Sequence, residues 1–300
     1  MSEWNEADHP RDPSGVSTGG QFVEKATGAA RRAAGLQPEM PAEYKRNEKA
    51  VATVYEENVQ RLMEDGHMTR EEAEQTIKKA INCVRVGVTD QPLCINRQVG
   101  GAEAVLESER FKTQFETGES GGYYNPGNRA EVEKDLFGYP KTLPPSKRPV
   151  YGYVGDLQEI AYADNDMAQT AGYYGPVTFV LKDEVRVRTT TTFGDSLGRE
   201  MLTPSLIDKV DIGVFGSDDL SMSDIASAAL GRAPTDIHPY NYYEIQMHGG
   251  VTLADVDYVI LRGGDNLGRN KKKFSSLIDK LDKKGVRWVY DYKLRSEEGD

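Results

Sequence analysis

The sequence predicts an α+β fold in which a mostly antiparallel sheet follows a pair of N-terminal helices. Three observations support this prediction. Apolar residues recur at helical spacing between positions 41 and 81, whereas short apolar runs alternate with turns after position 93. The connections between those runs are rich in Gly, Pro and Asp, as is usual in α+β enzymes with functional loops. The length of 300 residues is enough for one large domain or two modest ones.

The N-terminal segment differs in composition from the rest of the chain. Residues 1–39 are rich in Gly, Ser, Pro and Ala, so they cannot bury enough surface to offset the entropy of ordering. They lack the basic-then-apolar pattern of a secretion signal, and no apolar run approaches the roughly 20 residues of a membrane-spanning helix. We expect a disordered tail over 1–39, a helical hairpin over 40–92, an α+β catalytic-type domain over 93–300, and an intracellular location.

Turn and capping signals define the helical hairpin. The first helical run ends at Asp65 and Gly66, a pair that favours a helix stop. Thr69 then opens a Thr-Arg-Glu-Glu capping box, in which Glu72 takes the reciprocal position. The predicted apolar stripes comprise Ala50, Val54, Val59 and Leu62 in the first helix, and Ala73, Ile77, Ala80 and Ile81 in the second.

Short runs with strand-like composition predict the sheet. A further helix over 271–284 ends at Gly285 and precedes the last of these runs. The predicted strands cover 93–99, 150–154, 176–181, 185–192, 242–248, 256–261 and 286–292.

Composition and charge argue against several classes of site. Two cysteines, Cys83 and Cys94, and four scattered histidines give no zinc-ligand spacing, so we expect free core cysteines and no metal site. The net charge of −11 argues against general nucleic-acid binding, which needs positive charge to displace counterions. Residues 269–295 are the exception, with ten Lys or Arg against three Asp. This stretch is either the solvated face of a helix or a surface for an anionic partner such as RNA.

The segment 242–248 carries the strongest candidate for chemistry. Alternate residues of a strand share a face, so Glu244 and Gln246 lie on one side together with Tyr242 and His248. A carboxylate and an amide at this spacing can bind a polar ligand and stabilise developing positive charge, and we interpret Glu244 and Gln246 as catalytic. The alternative is an ordinary solvent-facing strand edge. The opposite side, predicted to face the core, comprises Tyr243, Ile245 and Met247.

Upstream segments hold candidate ligand-binding groups. Arg97 ends a predicted strand, where its guanidinium group can form a bidentate pair of hydrogen bonds with phosphate oxygens. The loop 112–124 combines glycines, hydroxyls and aromatic rings, which suit sugars and planar heterocycles. A surface arginine and a plain flexible loop are the alternatives, and the hydroxyl-rich segment 189–196, with Asp195 exposed at its turn, is interpreted as structural. The candidates for cofactor binding are Arg97, Thr117, Ser120, Tyr123, Tyr124 and Tyr242.

Three segments taken together resemble an uncharacterised family of actinobacteria and their phages. They are 111–118 (FKTQFETG), 148–153 (RPVYGY) and 243–256 (YEIQMHGGVTLADV). The segment 173–196 is similar as well, and the resemblance extends over about 93–261. The tail segment 8–22 (DHPRDPSGVSTGGQF) is similar to flexible segments of phage minor head proteins.

The order of these motifs resembles the Arg…Ser-Thr-Ser…Glu arrangement of ADP-ribosyltransferases. That resemblance implies an ADP-ribosyltransferase-like fold with NAD as the substrate. Arg97 would grip the phosphates and ribose of NAD, while Thr117 and Ser120 would orient the nicotinamide ribose. Glu244 would bond a ribose hydroxyl and stabilise the oxocarbenium-like transition state. The sequence departs from the pattern in three places. FETGESGG replaces Ser-Thr-Ser, Tyr242 stands where Gln or Glu is usual, and the gap between the second and third elements is much longer than in compact transferases.

The leading hypothesis is therefore transfer of ADP-ribose from NAD to a macromolecular acceptor. We expect a host protein as the acceptor, a location in the host cytoplasm or on the virion, and no membrane partner. A second hypothesis is a non-catalytic protein that docks to phage head components, which predicts a filled cleft and an exposed apolar stripe on the hairpin. A third is an RNA-targeting nuclease toxin that uses the basic stretch 269–295.

Overall fold

Among the residues that the structure describes, a pair of helices comes first, and strands and further helices follow it. The computed structural model describes residues 39–119, 125–155, 174–197, 202–232, 242–262 and 267–291. The predicted tail thus lies outside the described residues except for Glu39. The α-helices are α1 (Glu48–Glu64), α2 (Arg70–Val88), α3 (Val99–Ser108), α4 (Gln114–Thr117), α5 (Pro126–Phe137), α6 (Ser221–Ala229) and α7 (Leu267–Lys284).

The strands form one large sheet and one small one. In the described part of the chain they are β1 (Leu93–Arg97), β2 (Arg110–Phe111), β3 (Val150–Val154), β4 (Val177–Leu181), β5 (Thr189–Phe193), β6 (Ser205–Leu206), β7 (Tyr243–Met247), β8 (Val251–Thr252), β9 (Val256–Leu261) and β10 (Trp288–Tyr290). The large sheet has the order β10-β9-β4-β1-β3-β7-β5-β6, and β2 pairs with β8. Every pairing is antiparallel except that of β9 with β10. The predicted α+β class with a mostly antiparallel sheet is confirmed.

The predicted helix pair is present and packs on one face of the sheet. Asn47 caps α1 by accepting a hydrogen bond from Ala50 N at 3.2 Å. The capping box of α2 is also confirmed, because Thr69 Oγ1 accepts from Glu72 N at 3.3 Å and Thr69 N donates to the Glu72 carboxylate at 2.8 Å. The buried stripe of α2 belongs to the same hydrophobic core as the strands. Its members are Ala73, Ile77, Ala80, Val84 and Val88.

The large sheet opens between its two middle strands. β1 and β3 pair only through Leu93 with Val154 and Cys94 with Tyr153. Beyond Cys94, β1 stays paired with β4 while β3 stays paired with β7, so the two halves of the sheet separate. Tyr153 OH spans the start of the gap by donating to Asn96 Oδ1 at 2.9 Å. Residues from both faces of the sheet can therefore border one cleft.

One predicted strand is partly wrong. The segment 185–192 begins as a 3-10 helix, Asp183–Arg188, and becomes extended only at Thr189. The helical turn directs Arg188 inward, where Nη1 donates to the carbonyl oxygens of His248 and Gly250, at 2.6 Å each. These long-range bonds outweigh the local preference of the valines for a strand.

Smaller corrections concern the ends of elements. The strand predicted over 93–99 ends at Arg97, because the chain enters α3 at Val99. The last strand is shorter than 286–292, since it pairs with β9 at only three positions. The helix predicted over 271–284 starts earlier, at Leu267.

The basic C-terminal stretch is largely a helix that packs on an acidic neighbour. Lys280 Nζ lies 3.0 Å from the Glu103 carboxylate and 2.8 Å from that of Glu107, and Lys284 Nζ lies 2.5 Å from Glu109. A lysine held by two carboxylates is a poor contact for an RNA phosphate. The helix is anchored by three buried apolar side chains, Phe274, Leu277 and Leu281.

The cysteines follow the prediction that they do not pair. Cys94 is a buried free thiol and Cys83 is a half-buried one. In the described part of the chain, no helix is long and apolar enough to cross a membrane. Over the same residues, no three His, Cys, Asp or Glu side chains are arranged to hold a metal ion.

Candidate active site

A cavity of about 420 Å³ lies where β1 and β3 separate. Its size is within the range of about 300 to 1,000 Å³ that is typical of small-molecule sites. Four of the residues predicted from the sequence line it together: Arg97, Thr117, Tyr242 and Glu244. Sequence positions that are far apart are thus brought to one cavity by the topology of the sheet.

Of the other four predicted residues, the structure describes only Gln246. Gln246 is fully buried next to Glu244 and contacts its carboxylate rather than the cavity. It therefore positions Glu244 in this structure. The other three candidates, Ser120, Tyr123 and Tyr124, lie outside the described residues.

Glu244 projects from β7 into the cavity with only 3% of its surface exposed. Its Oε1 accepts hydrogen bonds from Ser196 Oγ at 2.5 Å and from Gln246 Nε2 at 2.8 Å. Within the described residues no hydrogen bond reaches Oε2, so that atom is available to a ligand. Burial and the negative charge of Asp195 raise the pKa of Glu244 to about 7, against the opposing charge of Arg129. The carboxyl group thus changes its charge near neutral pH.

A directional chain of hydrogen bonds supports Glu244 from behind. Because Gln246 Nε2 donates to Glu244, Gln246 Oε1 is the acceptor for Thr190 Oγ1, at 2.8 Å. Thr190 Oγ1 then accepts from His248 Nε2 at 3.0 Å, and His248 Nδ1 accepts from Tyr139 OH at 2.7 Å. Burial lowers the pKa of His248 to about 3, which keeps the imidazole neutral as this arrangement requires. The chain fixes the amide of Gln246 and, through it, the carboxylate.

The structure corrects two expectations about exposure. The polar side of 242–248 is not a solvent-facing edge, because β7 lies between β3 and β5 and all of its residues are buried. His248 does not face a ligand; its ring packs against Tyr44 and Phe137, with centroid separations of 4.9 Å for both. Asp195 is not exposed at a turn but half-buried, and it lines the cavity. Covering segments that are distant in sequence cause both differences.

Arg97 lies at the end of β1, on the other side of the opening from Glu244. Its Nη1 donates to Asn96 O at 2.9 Å, and its guanidinium carbon is 5.7 Å from the ring centre of Phe111. Gly175 packs so closely, with a φ of +132°, that a Cβ there would come within 2.2 Å of the Arg97 carbonyl carbon. Burial lowers the pKa of Arg97 to about 10, so it remains cationic at neutral pH. Among the described residues no carboxylate pairs with it, which suits an anionic ligand group.

Arg129 is a second cation of the cavity, and sequence reasoning missed it. It projects from α5 with 6% of its surface exposed, and its guanidinium carbon lies 4.5 Å from the ring centre of Tyr151. Burial alone would lower its pKa, but Tyr151, Glu244 and Asp195 raise it, so the group stays charged. Its Nη1 has no hydrogen-bond partner in the described part of the chain. A buried N–H donor without a partner beside a cavity is available for a ligand.

Two of the segments that carry the resemblance meet beside the cavity. Arg148 lies with its guanidinium carbon 4.1 Å from the ring centre of Phe115, so RPVYGY contacts FKTQFETG directly. Arg148 Nη1 also pairs with Glu133 Oε2 at 2.6 Å, and Tyr151 OH donates to Glu133 Oε1 at 3.0 Å. Both Arg148 and Glu133 are fully buried. The motif residues therefore build a rigid support around the ligand space.

Tyrosines and a threonine are among the uncharged groups that line the cavity. Tyr242 OH lies 3.4 Å from Tyr174 OH, and both rings border the cavity. Burial raises the pKa of Tyr242 well above its ordinary value, so the phenol is neutral. Thr117 Oγ1 donates to Thr113 O and accepts from Glu119 N, at 3.3 Å each. These groups provide aromatic surface and hydroxyls without adding charge.

Comparisons with known proteins agree with the resemblance at a coarse level. Residues 90–210 match the sequence model of a family described as "Protein of unknown function (DUF3626)". The Gene 2 protein of Mycobacterium phage D29 is 28% identical over 240 residues, which cover 75% of this chain and 81% of that protein. The Gene 2 protein of Mycobacterium phage L5 is 27% identical over 195 residues, which cover 61% and 67%. The chain is similar to phage proteins. The family match includes Arg97 and Asp195, whereas Glu244 lies beyond it.

Proposed function

We propose that the protein transfers ADP-ribose from NAD to a macromolecular acceptor, with Glu244 at the reacting centre. The observation that carries this proposal is one cavity lined by both the Glu244 carboxylate and the guanidinium of Arg97, which pairs with no carboxylate among the described residues. NAD combines a diphosphate with a ribose whose C1′ gains positive charge as nicotinamide leaves. A cation and a carboxylate on opposite sides of the same cavity match these two features.

Glu244 has the geometry that this role requires. Ser196 and Gln246 hold Oε1, so Oε2 is free to accept a hydrogen bond from a ribose hydroxyl. The ionised carboxylate then stabilises the oxocarbenium-like transition state, in which charge develops a short distance away. Because the pKa of Glu244 is raised to about 7, activity is expected to increase as the pH rises through that value.

The rest of the cavity fits the other parts of NAD. The diphosphate would lie against Arg97, which can form paired hydrogen bonds to phosphate oxygens. The rings of Tyr174 and Tyr242 offer surfaces on which a planar heterocycle can stack. These assignments define which side chains bind the substrate and which one stabilises the reacting atoms.

The docking hypothesis receives less support. It predicts an apolar stripe exposed on the hairpin over 41–81. The large apolar side chains that are exposed in the described residues all lie outside that range, namely Val86, Val187, Leu220 and Leu230. An open cavity with a buried, supported carboxylate also favours an enzyme over a head-associated protein.

Release of nicotinamide from NAD tests the proposal. The full chain is incubated with NAD, alone or with a mycobacterial lysate as the source of acceptor, and is compared with Glu244→Gln. The substitution keeps the shape of the side chain but removes its charge, so release should fall by about 10²- to 10³-fold. Transfer of ADP-ribose onto macromolecules from NAD that is radiolabelled in its adenylate phosphate would then identify the acceptor.

A matched control separates the site from a general effect of charge. Glu184 is exposed and lies outside the cavity, so Glu184→Gln should release nicotinamide at the rate of the unaltered protein. Arg97→Gln should raise the KM for NAD more than it lowers kcat, because Arg97 is assigned to binding. No release from folded protein, with or without lysate, would reject the proposal and favour the docking hypothesis.

A further inference from the structure

A second carboxylate borders the reacting centre in addition to Glu244. Asp195 follows β5, lines the cavity and immediately precedes Ser196, whose hydroxyl donates to Glu244 at 2.5 Å. The backbone of the Asp195 turn is held by a hydrogen bond from Leu197 N to Asp195 Oδ1 at 2.7 Å. Within the described residues no hydrogen bond reaches Asp195 Oδ2. A fixed carboxylate with one free oxygen thus faces the space next to Glu244.

We infer that Asp195 is the catalytic base that removes the proton from the acceptor, so the acceptor presents a hydroxyl group rather than a carboxylate. This inference rests on the proposed function and adds the second half of the reaction to it. Glu244 stabilises the ribosyl cation, and Asp195 activates the group that attacks it. A carboxylate acceptor has no proton to lose and would be repelled by two negative side chains.

The reaction balances with these two residues and no further reagent. The bond between C1′ of the ribose and the nicotinamide nitrogen breaks, and its electron pair converts the pyridinium ring to neutral nicotinamide. The acceptor oxygen forms a new bond to C1′ while its proton passes to Asp195 Oδ2. Asp195 later releases that proton to water. NAD and a hydroxyl group thus become an O-glycosidic (acetal) linkage to ADP-ribose, nicotinamide and one proton.

Other acidic groups near the cavity are less suited to this role. Glu133 is engaged by Arg148 and Tyr151, and Glu116 is engaged by Arg110. Glu119 also lines the cavity, but it is solvent-exposed, whereas Asp195 is half-buried and adjoins Ser196, which bonds Glu244. Glu244 itself has one oxygen occupied by Ser196 and Gln246, and its second oxygen is assigned to the ribose. Tyr242 and Tyr174 are phenols whose pKa values are raised by burial, so they do not accept protons at neutral pH.

Arg129 can compensate the negative charges of Glu244 and Asp195, which are assigned different roles. Its charge lies close enough to interact with both Glu244 and Asp195, and its unpartnered Nη1 is buried. A cation between two acids reduces the repulsion that would otherwise oppose their joint presence. The pair can therefore face one ligand.

Chemical rescue with azide tests the inference. Azide is an anionic nucleophile that attacks C1′ without losing a proton, so it needs no base. Asp195→Ala should lower the kcat for nicotinamide release with water as the acceptor by about 10²- to 10⁴-fold, the usual contribution of a general base. Sodium azide should restore release in this variant and yield ADP-ribosyl azide, which mass spectrometry detects. Azide should not restore Glu244→Gln.

Controls make each outcome decisive. Asp195→Asn is the second variant if Asp195→Ala does not fold, and Asp135→Ala, on the exposed side of α5, is the matched control with unchanged kcat. Full activity of a folded Asp195 variant, or a loss that azide does not restore, would overturn the inference while leaving the proposed function in place. If the unaltered protein releases no nicotinamide with water, azide or lysate, the proposed function fails and the inference fails with it.

Discussion

The two faces of β7 perform different tasks with side chains that alternate along five residues. Tyr243, Ile245 and Met247 pack into the hydrophobic core that the helices share. Glu244 and Gln246 are equally buried, but they lie in a network of hydroxyls, amides and charges. One face therefore contributes stability through apolar burial, whereas the other holds a carboxylate in a buried polar site at a cost in stability.

The difference shows how a fold can support a reactive group. Burying an ionisable side chain is unfavourable unless hydrogen bonds and opposite charges compensate. Here the compensation for Glu244 comes from Ser196, Gln246 and the charge of Arg129, and it is incomplete because the pKa stays raised to about 7. Substitutions on the apolar face should thus harm stability, and matched substitutions on the polar face should harm function first.

The largest expected effect on stability comes from the apolar face. Ile245 is fully buried, so Ile245→Ala removes packed methyl groups and leaves a cavity. We expect the free energy of unfolding to fall by about 2–5 kcal/mol. Urea denaturation followed by circular dichroism measures it, with Glu244→Gln as the polar-face comparison. An equal loss in both variants would contradict the division of tasks between the faces.

The alternation of β7 could be predicted from the sequence, and so could the helical hairpin. Both depend on short-range patterns, namely a period of two in 242–248 and the capping box formed by Thr69 and Glu72. These patterns are set by backbone geometry within a few residues. The position of Arg97 at the end of a strand could also be predicted from such a short-range pattern.

The burial of the polar face could not be predicted, and neither could the partners of Glu244. The alternating pattern of polar and apolar residues in the sequence is identical whether the polar face of the strand contacts solvent or another part of the chain. Ser196 is 48 positions from Glu244 in sequence and reaches it only because β5 pairs with β7 in a particular register. Arg129 approaches from α5, which no local pattern connects to the sheet. Long-range pairing, rather than residue type, completes the site.

The next effect is a pH-dependent gain in stability for Glu244→Gln. The pKa of Glu244 is about 7 in the folded protein against an ordinary value of 4.5. Between these values the folded state holds a proton that the unfolded state has lost, so the stability contributed by this group decreases as the pH rises through 7. The difference corresponds to about 3 kcal/mol.

Unfolding measurements on both proteins from pH 4.5 to 8.5 check this prediction. The advantage of Glu244→Gln over the unaltered protein should grow with pH and level off above 7. His248 contributes the opposite slope, because its folded pKa of about 3 makes stability fall as the pH drops below 6.5. That contribution is common to both proteins and cancels in the comparison. A difference that stays constant with pH would show that Glu244 is not held with a raised pKa.

The smallest expected effect separates two neighbouring threonines of β5. Thr190 Oγ1 connects Gln246 to His248, whereas Thr191 Oγ1, on the other face, donates to the backbone oxygen of Glu244 at 2.9 Å. Thr190→Val leaves both Gln246 Oε1 and His248 Nε2 without their buried partner, so it should cost about 1–3 kcal/mol of stability. Thr191→Val should cost about 1 kcal/mol, because it removes one ordinary hydrogen bond. Urea denaturation gives both values.

The same pair of variants tests the donor-to-acceptor direction of the hydrogen bonds that connect Gln246, Thr190 and His248. If Thr190 donates to Gln246 and accepts from His248, then neutral His248 carries its proton on Nε2, and nitrogen NMR of the imidazole will show Nδ1 as the unprotonated atom. Thr190→Val removes the acceptor of that proton and should shift the Nε2 resonance, whereas Thr191→Val should leave it in place. A proton on Nδ1 would mean that Gln246 is turned the other way. Its amide oxygen would then face the Glu244 carboxylate and repel it, and the polar face of β7 would lose the contact that orients the candidate catalytic group.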